Sequence, residues 1–212
     1  GLDWAAFMTA ADLDKQASFI VWQPEAITGL SKLVKTESLD SWKDWLSFHA
    51  IDRAAAYLPR EFSDQHFAFH EQALSGTPEQ RERWKRGIDQ ANAALGEAIG
   101  KVYVERHFSP ETKARADAMV ANIISAFGKR IDAVEWMTAP TKARAKTKLA
   151  TLTVSMGYPA KWRDYSTLEV RRDDALGNAG RASLFEYQRN LAKLGQPVDH
   201  DEWFMLPQTV NA

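Results

Sequence analysis

Residues 74–108 read LSGTPEQRERWKRGIDQANAALGEAIGKVYVERHF, and the spacing inside this stretch points to a mainly α fold. Thr77 suits an N-cap, Pro78 the first helical position, and Gln80 completes a T-x-x-Q capping box that satisfies orphaned backbone N–H groups. Trp84, Ile88, Ala91, Leu95, Ala98 and Val102 recur at alternating steps of four and three, which puts them on one face of a 3.6-residue period. The reading is a single long helix with that face buried. Gly96 and Gly100 would each weaken an isolated helix by about 1 kcal/mol relative to Ala. Their placement one turn apart therefore predicts the close approach of another backbone.

The 212 residues, 45% of them hydrophobic, suffice for one large domain or two small ones. Lys plus Arg (27) nearly balances Asp plus Glu (28), so no global field recruits nucleic acid or an anionic membrane. The absence of cysteine excludes disulfides, thiolate metal ligands and cysteine nucleophiles, and leaves the compartment open. No apolar run is long enough to cross a bilayer, and the first residues, GLDWAAFMTAADLDK, lack the pattern of an export signal.

Upstream of the long helix, Asp3 caps a short helix and Phe19-Ile20-Val21-Trp22 reads as a strand. Pro24 starts a helix with Ile27, Leu30 and Val34 on one face, and Thr36-Glu37-Ser38 breaks it before a helix carrying Trp42, Trp45 and Leu46. Pro59 ends that one. A helix from Arg60 to Leu74 follows, and Gly76 is its natural C-terminal cap. Downstream, Ser109-Pro110 opens a helix with Ala116, Val120, Ile123, Phe127, Ile131 and Val134 at helical spacing, expected to pair antiparallel with the long one. Thr138 and Pro140 open a helix whose Lys142, Arg144, Lys146 and Lys148 form a solvated basic face. Thr151 to Met156 reads as extended, with a turn at Gly157-Tyr158-Pro159 and a polar loop from Lys161 to Asp174 that Trp162 and Tyr165 pack. A last helix buries Leu184, Tyr187, Leu191 and Leu194 and stops at Gly195. Trp203 to Ala212 loses the helical period and, with Pro207, reads as an edge strand. The sum is about eight helices with a terminal extended strand. An apolar strand with no partner strand in view reads as the point where a longer protein is interrupted.

Candidate chemistry is sparse. His66 and His70 stand at i and i+4, as two zinc ligands on a helix do, but the spacing completes no motif. H-E-x-x-H needs Glu where Phe67 stands, or His where Leu74 stands, and no third ligand lies nearby in sequence. The pair therefore reads as an aromatic-face histidine and a rim histidine, and no metal ligand is assigned. Asp173-Asp174 and Asp199-Asp201 lie in polar loops as solvated carboxylates, His49 reads as an edge-of-core side chain beside Trp42 and Trp45, and His107 and His200 carry no partner signal. No nucleophile elbow, phosphate-binding glycine loop or dinucleotide fingerprint is present.

Three groups of residues together resemble the neprilysin-like zinc endopeptidases and their bacterial oligopeptidase relatives. They are Leu74-Ser75-Gly76-Thr77 with Arg83-Trp84-Lys85-Arg86 and Ala98 to Glu105; Glu135-Trp136-Met137 with Thr141-Lys142 and Met156-Gly157-Tyr158-Pro159; and Met205, Pro207 and Thr209-Val210-Asn211-Ala212. The resemblance implies that the last group starts the family's V-N-A-[FY] strand, where Asn211 and Ala212 hold a peptide substrate's backbone. It implies zinc as the complete enzyme's cofactor, held by H-E-x-x-H and a further glutamate that this sequence lacks, so that the chain alone binds no zinc and is inactive. Residues 1–200 are then a helical cap domain walling the substrate cavity, and 201–212 the start of the catalytic domain. The implied partners are peptide substrates and the missing catalytic domain, with no nucleic acid. The implied location is periplasmic, secreted or membrane-attached, although a cytoplasmic one stays open. Animal members are rich in disulfides, so the lack of cysteine favours a bacterial relative. The alternative is a free-standing, non-catalytic helical binding module.

Overall fold

The computed structural model describes residues 1–210, and they form two compact units, one of residues 1–81 with 172–176, the other of 82–171 with 177–210. Among the described residues the regular structure is entirely helical, which agrees with the expected mainly α class but lacks the strands expected at Phe19–Trp22 and from Trp203 onward.

In the first unit, α1 (Trp4–Ala10) starts where Asp3 accepts the Ala6 N–H at 3.0 Å. Helix α2 (Pro24–Thr36) begins on its proline, and α3 (Leu39–Ala54) is capped by Ser38, whose Oγ accepts the Ser41 N–H. A tight turn, Ala55–Tyr57, buries Ala55 and leads to α4 (Arg60–His66), which runs on without a break into a π-helical segment, Phe67–Ala73. Gly76, at φ +71°, closes it as expected. The Thr77 N–H reaches back to the Glu71 carbonyl and the Gly76 N–H to that of Gln72, each one residue wider than the bonds of a Schellman motif, in keeping with the wider π-helical turn they close.

Thr77 therefore sits at the end of one helix and does not cap the next: α5 begins after Glu82, at Arg83, and runs to His107. Gln80, the expected partner in the capping box, instead donates to the carbonyl and hydroxyl oxygens of Ser63. The Phe19–Trp22 run is likewise irregular and exposed. It meets no partner strand among the described residues, and a strand alone cannot satisfy its own backbone.

The second unit holds α5, α6 (Pro110–Ala133), α7 (Ala139–Ala150) and most of α8 (Ala175–Leu191). Ser109 and Thr138 cap α6 and α7, accepting the N–H groups of Thr112 and Thr141. Helix α6 packs on α7, not mainly on α5 as expected. Gly128 leaves room for Leu149, whose Cδ2 lies 3.7 Å from where a Cβ would stand. The basic face of α7 is partly drawn back onto α6, with Lys142 donating to the Asp132 carbonyl at 2.7 Å and Lys146 pairing with the Asp132 carboxylate at 2.6 Å.

Apolar faces stay open. Trp84, Ile88 and Val102 of the predicted buried stripe are about half exposed or more, and what α5 buries is Gly96, Glu97 and Gly100. Helix α8 is rotated in the same sense: Leu184 and Tyr187 face solvent, while Ala182 is buried and Phe185 stacks on Tyr165 at 5.6 Å; the helix ends at Leu191, short of the expected Gly195, and Leu194 lies exposed in the turns beyond it. The chain exposes 17021 Å². A compact monomer of its 23.9 kDa would expose about 9,900 Å², and two separate compact bodies of half that mass about 11,900 Å². Periodicity found the amphipathic faces; it did not show that they stay uncovered among the described residues.

Candidate functional site

The segment after α8, expected as an edge strand, is not one: it forms no ladder among the described residues. Residues 203–210 run irregularly with a turn in which the Thr209 N–H reaches the Leu206 carbonyl at 2.9 Å. Their seat is the pair of glycines on α5. A Cβ on Gly96 would stand 2.5 Å from Leu206 Cδ1, and one on Gly100 would stand 2.9 Å from Pro207 Cδ and 2.8 Å from Gln208 Oε1. The two glycines do admit a close neighbour, but it is the side chains of this segment and not the other backbone that was expected. Gln208 clamps it by donating from Nε2 to Asn92 Oδ1 at 2.9 Å and to the Gly96 carbonyl at 3.0 Å. That carbonyl lies just past a kink at Leu95 (φ −130°, ψ 27°). A cleft of about 450 Å³ runs along the segment, lined by Ser155, Gly157, Trp203, Met205, Pro207 and Thr209 among others.

A chain of charges holds the approach to this segment, and the sequence reading missed it. Glu97, buried on α5, accepts the Arg163 backbone N–H at 2.7 Å and pairs with its guanidinium at 3.1 Å. Arg163 also reaches Glu186 of α8, which pairs with Arg189, and Arg189 and Lys193 converge on Glu202 at 2.8 and 2.5 Å. Those hydrogen bonds, Arg189's first, hold the Glu202 carboxyl below its ordinary range. Tyr165 accepts the Glu97 backbone N–H, and burial pushes its phenol up. The only sequence signal for this network was a glutamate between two small-residue positions of α5, which by itself reads as surface.

The Met156-Gly157-Tyr158-Pro159 motif is a packed turn. Gly157 has φ +76°, and a Cβ there would stand 2.6 Å from the Phe108 ring. Tyr158 stacks with Trp162 and meets Phe108 edge-on, Lys113 donates to the Met156 carbonyl at 2.6 Å, and Pro159 is buried. Asn211 and Ala212, the expected substrate contacts, lie outside the described residues. Asp173, Asp199 and Asp201 are exposed as expected, and His49 packs edge-on to Trp45 at 4.4 Å.

In the first unit the structure adds a donor that sequence spacing did not show. Asp52, from α3, points Oδ1 at His70 Nε2 (3.1 Å) and His66 Nε2 (3.9 Å), and the two imidazoles lie 4.3 Å apart between centroids.

Residues 1–159 match the N-terminal model of Peptidase family M13. Among curated proteins, the chain is 31% identical to a neutral endopeptidase of Lactobacillus helveticus over 99% of its own length and 33% of that protein's. It is 28% identical to neprilysin of Homo sapiens over 94% of its length and 28% of that protein's. Among solved structures, the zinc metalloprotease Zmp1 of Mycobacterium tuberculosis in its open state superposes with a TM-score of 0.88 at 41% identity, covering 100% of this chain and 33% of that one. PepO from Lactobacillus rhamnosis superposes with a TM-score of 0.70 at 28% identity, covering 96% of this chain and 34% of that one. The chain therefore spans about a third of the length of the relatives it matches. The family match takes in well over half of the sequence, and on that ground the chain belongs to peptidase family M13.

Proposed function

We propose that this chain is the helical, non-catalytic part of a zinc-dependent metalloendopeptidase, walling a substrate cavity and carrying one peptide-binding strand. The observation that carries the reading is the seat of residues 206–208 on Gly96 and Gly100, clamped by Gln208. It anchors the chain just before Asn211 and Ala212 to a rigid helix, as a contact that must hold a substrate backbone in register requires. Asn211 would offer its side-chain amide to a peptide's backbone, and Ala212 its N–H and C=O by strand addition. Residues 1–200 are the cap domain in this reading, and 201–212 open the catalytic domain.

No residues of this chain fit the H-E-x-x-H zinc set. Zinc in the complete enzyme therefore falls to residues elsewhere, and what these residues contribute is binding and positioning. The exposed faces of α5, α6 and α8 support the same reading, because apolar surface of this extent needs a cover, and the catalytic part of the same polypeptide is the occupant we assign. We place the parent protein outside the cytoplasm, periplasmic, secreted or membrane-attached, which cell fractionation tests; among the described residues no helix is long and apolar enough to cross a membrane. The test of the site is Asn211→Ala in the full-length protein. Peptide kcat/KM falls at least tenfold with zinc content unchanged; unaltered kinetics would remove Asn211 from the site.

A further inference from the structure

We propose that Asp52, His66 and His70 form a metal site that takes a borderline divalent transition ion, zinc foremost. One ligand atom from each of the three residues lies within 4.8 Å of the others. Zinc bound at about 2.0–2.1 Å to nitrogen and oxygen holds neighbouring tetrahedral donors about 3.4 Å apart. The observed separations from Asp52 Oδ1, 3.1 Å to His70 and 3.9 Å to His66, straddle that value. Small side-chain rotations would bring all three onto one ion, which would take over the Asp52–His70 contact.

The donor set selects the ion. Two imidazoles and one carboxylate suit zinc, cobalt or nickel, whereas calcium and magnesium want oxygen ligands throughout. The three side chains are 23–37% exposed, so an ion can enter and complete its shell with water.

The backbone supplies a second observation. His66 ends α4, and His70 sits in the π-helical segment that follows without a break. Such segments are rare and cluster at functional sites, because the wider turn changes how residues four apart overlie one another. An ion here would bind α3 to α4 across the tight turn at Ala55–Tyr57, acting as a structural clip within the first unit.

The test uses the full-length, tag-free protein, loaded with zinc, freed of excess and assayed for metal per chain, against Asp52→Asn and His66→Asn. Asp52→Asn keeps an acceptor for His70, and His66 makes no direct hydrogen bond to Asp52, so neither variant is expected to unfold, and circular dichroism checks this. The expected result is one more equivalent of zinc in the wild type than in either variant, with affinity for that equivalent lowered about 100-fold or more by His66→Asn. Cobalt should give visible absorption bands at this site that both variants lose. Equal metal content in all three proteins, or an extra equivalent that survives both substitutions, overturns the proposal. Because the readout is a difference between proteins that share any catalytic zinc, it stands whatever becomes of the peptidase reading.

Discussion

Glu97 binds Arg163 twice, its Oε2 accepting the backbone N–H at 2.7 Å and its Oε1 meeting the guanidinium at 3.1 Å. The carboxylate is nearly sealed, its side chain 7% exposed, and it ties the loop before α8 to the kinked middle of α5. Removing one partner of a buried pair costs about 3–5 kcal/mol, because the other is left uncompensated. Arg163 keeps Glu186, so Glu97→Ala should fall at the lower end, about 3 kcal/mol. Amide exchange at Arg163 and its neighbours should quicken accordingly; unchanged protection there would count against the network as the loop's anchor.

The two glycines of the seat should respond differently. Alanine gains about 1 kcal/mol over glycine in a helix, but its methyl must fit. At Gly96 the obstacle is the end of the Leu206 side chain, which can rotate; at Gly100 it is the ring of Pro207, which cannot. Gly96→Ala should come out near neutral, and Gly100→Ala should lose about 1–2 kcal/mol and open residues 203–210 to limited proteolysis. The reverse order would mean the segment is not seated as described.

Glu202 sets a pH dependence. Its carboxyl is held below its ordinary value near 4.5, first by the hydrogen bond from Arg189 and then by that from Lys193. A depressed carboxyl contributes stability that is present above its unfolded value and lost as pH falls through the lower folded one. The tether should therefore hold above pH about 4.5 and loosen progressively below it. Glu202→Gln should flatten this acid limb in a proteolysis or exchange profile of residues 203–210. An identical limb in the variant would assign it to other carboxylates.

At Gly157 two penalties coincide, a left-handed backbone and contact with Phe108. Gly157→Ala should cost about 1–3 kcal/mol and disturb the stacked Tyr158–Trp162 pair, which near-ultraviolet circular dichroism reads directly. A variant as stable as the wild type would show that the turn has room to relax.

What sequence could and could not show divides along physical lines. Caps at Asp3, Ser109 and Thr138 and the closure at Gly76 were legible because each is a local hydrogen-bonding device. Thr77 misled for a related reason: the residue chemistry that starts helices also suits the position just past their end, and only the backbone bonds of Gly76 and Thr77 back onto the helix decide between them. The stripes on α5 and α8 were legible as amphipathic faces but not as buried ones, since periodicity names a face without naming its cover. Glu97–Arg163 and Asp52–His66–His70 bring together residues from separate elements, and no spacing rule reaches across such distances. The glycine pair was the exception. A costly residue repeated one turn apart announced a close neighbour, although not that the neighbour would be Leu206 and Pro207.

The central claim is that these residues support a zinc peptidase's substrate site without performing its chemistry. Cleavage of a short peptide by the full-length protein, with and without a zinc chelator and beside residues 1–212 alone, tests it most directly. The account predicts chelator-sensitive cleavage by the full-length protein and none by residues 1–212. Cleavage indifferent to the chelator, or cleavage by residues 1–212 themselves, would contradict it.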